Sequence, residues 1–164
     1  MIEVRVFAVA LDTAGQHVVL LKPVVEHPDG ELVVPIWIGP QEATSILIAT
    51  QGQEVPRPLS HDLMKSLLDA LGARVEQVEV TRIDGGTFYA EITLVTPAGR
   101  QTVDARPSDA IALAVRARAT IGVADEVVLE AGIPADFADP RPDEVKLEEF
   151  KEFLEDVDPE DFRG

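Results

Sequence analysis

The sequence predicts an α+β fold made of duplicated β-β-β-α units, with antiparallel hairpins packed against helices. Three observations predict it. Short alternating apolar runs are separated by turn residues at hairpin spacing. Two of these runs of strands each lead into an apolar helical stretch opened by proline, at Pro40 and at Pro107. The two halves also keep register. Turn glycines Gly30 and Gly99 stand 69 positions apart, while Pro40 and Pro107, Glu42 and Asp109, and Ala43 and Ala110 stand 67 apart. Runs of strands followed by a helix, rather than strict β-α alternation, point to α+β.

In the first half, Ile2 to Leu11 alternates, with Ile2, Val4, Val6, Ala8 and Ala10 on one face. Asp12-Thr13-Ala14-Gly15 turns the chain, and His17 to Lys22 returns as a second strand. A loop from Pro23 to Gly30 leads to a third strand, Leu32 to Ile38, rich in β-branched residues. Gly39 is the expected N-cap of the first helix, with Pro40 first and Glu42 third, facing the positive helix end. That helix runs to Thr50 and stops at Gly52. Val55-Pro56-Arg57-Pro58 is extended, because proline restricts the residue before it. Ser60 is the expected N-cap of a second helix, whose apolar face is Leu63, Met64, Leu67, Leu68 and Leu71 and whose stop is Gly72.

The second half repeats the order. Val75 to Ile83 is a strand, Asp84-Gly85-Gly86 a hairpin turn, and Thr87 to Thr96 a strand with Phe88, Ala90, Ile92 and Leu94 on one face. Pro97 to Arg100 turns into a short strand, Thr102 to Ala105, and Pro107 opens a helix to about Arg118. A short strand and a helical turn follow over Ile121 to Leu129. This divides the chain into a body, 1–132, and an acidic tail, 133–164. The tail holds a linker at Ala135 to Asp143 and an amphipathic stretch, Glu144 to Leu154, with Val145, Phe150 and Phe153 in helical spacing.

Composition bounds the chemistry. The net charge is −16, of which −11 falls from Asp125 onward. So acidic a chain repels nucleic acid at long range, which argues against a plain DNA-binding module and less strongly against an enzyme. The absence of cysteine excludes disulfides, thiolate nucleophiles and Cys-ligated zinc. The N-terminus shows no secretion signal and no run reaches membrane-spanning length, so a cytoplasmic protein is the default expectation. No phosphate loop, dinucleotide fingerprint or nucleophile elbow is present.

Two clusters could carry chemistry. In Arg57-Pro58-Leu59-Ser60-His61-Asp62, Arg57 could hold phosphate bidentately, His61 could move a proton, and Asp62 could bind a metal or orient water. Alternatively Ser60 caps, Asp62 complements the helix dipole, and Arg57 makes a structural ion pair. In Asp104-Ala105-Arg106-Pro107-Ser108-Asp109, Arg106 and Ser108 offer phosphate contacts while Asp104 and Asp109 offer metal ligands. Here too Asp109 has a plain alternative, as a capping carboxylate paired with Arg106, and capping accounts fully for Glu42. His17 and His27 are isolated, and Trp37 reads as a core or interface anchor rather than a base-stacking platform.

At these residues the chain resembles the bifunctional nuclease domain family. The resemblance lies in Pro35-Ile36-Trp37-Ile38-Gly39, Glu42-Ala43, Pro56 to Leu63, Gly86-Thr87-Phe88-Tyr89-Ala90 and Asp104 to Ala114, and covers about residues 1–132. It implies an α+β domain that forms homodimers and cleaves both RNA and DNA. The expected site combines His61, Asp62 and Asp109 as catalytic groups, Arg57, Arg106 and Ser108 as phosphate contacts, and Mg2+ or Mn2+ at Asp62, Asp104 and Asp109. The competing expectation is a non-catalytic homodimeric binding or regulatory protein whose acidic tail engages a basic partner.

Overall fold

The computed structural model describes residues 1–25 and 32–138. The turn at Pro28 to Glu31, His27, and the expected features from Asp139 onward, including the amphipathic stretch, lie outside the described residues. The fold is α+β. An eight-stranded sheet is built from β1 (Ile2–Leu11), β2 (His17–Pro23), β3 (Leu32–Trp37), β4 (Arg74–Asp84), β5 (Thr87–Thr96), β6 (Gly99–Ala105), β7 (Thr120–Val123) and β8 (Ile133–Pro134). Among the described residues four α-helices accompany it: α1 (Pro40–Thr50), α2 (Ser60–Ala70), α3 (Pro107–Ala117) and α4 (Asp125–Ala131).

The strand order is β6-β5-β4-β7-β1-β2-β3-β8. Each half is an antiparallel meander, β1-β2-β3 or β4-β5-β6, and β7 joins them, antiparallel to β1 and parallel to β4. The parallel pairing requires a long crossover. The chain supplies it through β5, β6 and α3. In β1 the pairing shifts between Val6 and Ala8, so the strict alternation read from sequence breaks after Val6. The sheet also continues past Gly132, since Val33 of β3 pairs with Ile133 of β8.

Helix α3 lies against α1, α2 and the sheet, and residues Ala110 to Leu113 are all buried. Its alanines permit this close approach, and Ile111, fully buried, belongs to one apolar cluster with Val78, Val80, Val123 and Ile46. Its end is strained: Arg118 adopts a left-handed conformation with φ 53°. A side chain there costs roughly 1–2 kcal/mol relative to the right-handed form, a cost that glycine avoids.

One expectation is corrected here. The N-cap of α2 is Leu59, not Ser60, because Asp62 reaches back to accept the Leu59 N–H at 2.8 Å and Leu63 N–H bonds the Leu59 carbonyl. The apolar face of α2 turns mostly to solvent. Leu63, Met64, Leu67 and Leu71 are exposed, and Leu68 alone of that set packs against the core.

Candidate functional site

The helices α1 and α3 start alike and meet at their starts. Each has proline first and a carboxylate third: Pro40 with Glu42, and Pro107 with Asp109. The Glu42 side chain folds back over Gly39, where a Cβ would meet its carboxylate, the movable end of a flexible side chain. Arg106, the N-cap of α3, joins the two helices. Its Nε donates to Asp109 Oδ2 at 2.7 Å and its Nη2 donates to Glu42 Oε1 at 3.0 Å. The positions matched 67 residues apart in sequence thus share one guanidinium.

Behind Asp109 the network runs inward. His61, at the start of α2, lies 2.9 Å from Asp109 Oδ1 through Nε2 and 2.7 Å from Ser45 Oγ through Nδ1. An ionised carboxylate only accepts, so Nε2 carries a proton toward Asp109, and in the tautomer with Nδ1 bare that nitrogen accepts the Ser45 O–H. Ser45 and His61 are both buried. The hydroxyl–imidazole–carboxylate chain therefore faces solvent only at its Asp109–Arg106 end, where Arg106 is 65% exposed.

A second ion pair holds the far side of α2. Arg116 Nε donates to Asp62 Oδ1 at 2.6 Å, and Arg116 Nη1 donates to the Ala112 carbonyl. Arg116 Nη2 is buried without a partner among the described residues. Asp62 therefore both caps α2 and ties it to α3.

These contacts set the carboxylates. Burial works to raise Asp109, but hydrogen bonds from Arg106 and His61 outweigh it and hold the group below its ordinary value. Asp62 behaves likewise, with burial overcome by Arg116 and the Leu59 N–H. Arg106 is raised by Asp109 first and Glu42 second. A carboxylate depressed in the folded state adds stability above its unfolded value, about 3.9, and loses it as pH falls through the folded value. The melting temperature is therefore expected to decline below about pH 4. Asp62→Asn and Asp109→Asn should each flatten that acid limb, which thermal melts from pH 7 to pH 2 would check.

Beside the network lies an open groove of about 730 Å3. It is lined by the β1–β2 turn, the end of β3 at Trp37, the β4–β5 turn at Phe88, and Arg106 to Ser108. Both helix starts, Gly39-Pro40 and Arg106-Pro107, open onto it.

Not all expected site residues gather here. His61, Asp109 and Arg106 are linked directly, and Ser108 lines the groove. Asp62 stands in its own pair with Arg116. Asp104 is exposed on β6, paired across from Glu91. Arg57 is exposed in the segment before α2 and lies outside the groove lining. No three His, Asp or Glu side chains among the described residues stand together as an ion site, so Asp62, Asp104 and Asp109 do not form one. Sequence reasoning missed Ser45 and Arg116. The available signal was a polar residue inside an otherwise apolar helical run. Trp37, read as a core or interface anchor, is 53% exposed at the groove.

Among the described residues, no helix is long and apolar enough to cross a membrane. A family model for the bifunctional nuclease domain matches residues 23–136. An uncharacterized protein of Mycobacterium tuberculosis is 39% identical over 99% of this chain and 98% of its own length. Bifunctional nuclease 1 of rice (Oryza sativa subsp. japonica) is 26% identical over 74% of this chain but 37% of the rice protein. Bifunctional nuclease 2 of Arabidopsis thaliana is 30% identical over 61% of this chain and 32% of its own. The domain match covers both helix starts, the Ser45–His61–Asp109–Arg106 network and all of the groove lining except Gly15 to His17, and the chain belongs to the bifunctional nuclease domain family.

Proposed function

We propose that this protein hydrolyses phosphodiester bonds in RNA and DNA, with the scissile phosphate at the Arg106 end of the groove. One observation carries the reading: Arg106, largely exposed and oriented by two carboxylates, lines the groove in front of the Asp109–His61–Ser45 chain, whose inner members His61 and Ser45 are buried. The plant relatives' name, bifunctional nuclease, supports the reaction class.

In this reading water attacks phosphorus and the bond to the departing nucleoside oxygen breaks. The guanidinium of Arg106 offsets charge on the non-bridging oxygens, and Ser108 offers a hydroxyl to them. Asp109, held ionised, accepts a hydrogen bond from the attacking water and orients it; the water releases one proton to solvent as its bond to phosphorus forms, and the departing oxygen takes one from solvent. His61 fixes Asp109 through Nε2–H, and Ser45 fixes the His61 tautomer. A requirement for Mg2+ or Mn2+ stays part of the proposal, but the described side chains form no three-ligand site and no step is drawn through an ion.

The test is cleavage of labelled single-stranded RNA and DNA by purified protein, in Mg2+, in Mn2+ and in EDTA. Activity that co-elutes with the protein and falls in Arg106→Met supports the reaction. Equal cleavage by wild type and Arg106→Met would trace to a contaminant and end the reading.

A second reading, a non-catalytic homodimeric binding protein, draws on the same network and on α2. Ser45, His61, Asp109 and Arg106 satisfy one another within the chain, as structural groups do. The exposed stripe Leu63, Met64, Leu67 and Leu71 is a surface for a second copy under either reading. Light scattering should give twice the mass of the 17.8 kDa chain, and Leu67→Glu should return it to monomer with its fold intact.

A further inference from the structure

We propose that Trp37 is a stacking platform for an unpaired base, so that the groove takes single-stranded RNA or DNA and rejects duplex. The inference rests on the nuclease reading above and names its substrate form. Trp37 ends β3 with over half of its surface in water, an unfavourable place for a large apolar ring. The ring is nevertheless held. Its Nε1–H donates to Asp12 Oδ2 at 3.0 Å, while Asp12 Oδ1 accepts the N–H groups of Ala14 and Gln16 at 2.8 Å each. The β1–β2 turn thus fixes the indole by its edge and leaves ring surface open. A ring already oriented loses little freedom when a base stacks on it.

The groove suits such a guest. Phe88, from the other half of the chain, lines it together with Trp37, and Arg106 stands at the same lining. Its volume, about 730 Å3, falls within the roughly 300–1,000 Å3 of small-ligand pockets, room for individual nucleotides but not for a double helix. Bases inside a duplex are stacked on each other and present no free face.

Charge makes stacking the main attraction. The chain carries −16, and among the lining residues Arg106 is the one Arg or Lys, already shared by Asp109 and Glu42. With about one phosphate neutralised, the logarithm of affinity should fall against the logarithm of salt with a slope near about −0.7.

Trp37 is the sole tryptophan of the chain, so its emission reports on the groove directly. Full-length protein is titrated in EDTA on ice with octathymidylate, with octauridylate and with a short blunt duplex, and the strands are checked for integrity on a gel. The expected result is saturable quenching by both single strands and none by duplex, with a salt slope shallower than about −1.5. By anisotropy of fluorescein-labelled strands, Trp37→Ala should weaken binding roughly 5- to 150-fold, and Trp37→Phe should restore most of it. Equal quenching by duplex, no quenching, or a steeper slope overturns the proposal. So does emission that shifts with protein concentration and ignores nucleic acid, which assigns Trp37 to contact with a second copy. The two readings fail separately. Binding without cleavage removes the reaction and keeps the platform; cleavage with no Trp37 response does the reverse.

Discussion

Asp109→Ala is expected to destabilise the protein by about 2–4 kcal/mol, the largest loss among single changes at the site. The reason lies in what the change leaves behind. His61 is buried, and its Nε2–H would lose the carboxylate it donates to. A buried donor without an acceptor costs about 1–3 kcal/mol. The charge at the start of α3 adds about 0.3–1 kcal/mol, and the pair with the exposed Arg106 adds less than about 1 kcal/mol. For a chain of this size the melting temperature should fall by roughly 4–15 °C. Asp104→Ala is the control, because Asp104 is exposed and should stay within about 0.5 kcal/mol of wild type. Thermal melts followed by circular dichroism give both values, and equal melting of the two variants would remove Asp109 from its central place.

Arg106→Met is expected to lower phosphodiester cleavage by about 100- to 1,000-fold while the protein stays folded. Methionine keeps much of the stem and deletes the cation, so Glu42 and Asp109 lose the group that held them together. Stability should change far less than activity, since Arg106 is mostly in water and exposed ion pairs contribute about 0–1 kcal/mol. Arg106→Lys retains the charge but not the planar fork that reaches two carboxylates at once. It should recover only part of the rate. Single-turnover cleavage with matched preparations checks the series, and a rate for Arg106→Met within about threefold of wild type would exclude the guanidinium from the reaction.

Local chemistry made much of the fold readable. Proline at the first position of α1 and of α3, with a carboxylate two residues on, marked both helix starts because the missing N–H and the fixed φ cost nothing there. The Asp84-Gly85-Gly86 turn was equally plain, since both glycines take positive φ. What the sequence did not show was pairing between distant segments. Nothing in Thr120–Val123 states that it slots between β1 and β4. The stripe on α2 shows a related limit of periodicity, which reveals an apolar face but not what covers it; His61 and Leu68 mark the side that turns inward.

The site divides in the same way. Arg106 and Asp109, three residues apart at a helix start, were readable as a pair, and the 67-residue spacing flagged Glu42 as their counterpart. That one guanidinium would bind both carboxylates was not readable, because it depends on how α1 packs on α3. Asp62 and Arg116 are 54 residues apart, which hid a pair that gives Asp62 a capping and tethering role. Ser45 was lost inside the apolar run of α1. Trp37 followed four buried residues of β3, so neither alternation nor hydropathy separated its exposed position from theirs.

Amide chemical shifts of the labelled 17.8 kDa chain would map the location of the site during titration with short single-stranded DNA. The largest shifts should fall on Gly15 to His17, Trp37 to Gly39, Gly86 to Phe88 and Arg106 to Ser108, the segments that line the groove. Shifts that spare these segments and gather on the edge strand β6 and its neighbour β5, around Glu91 and Asp104, would contradict a site in the groove.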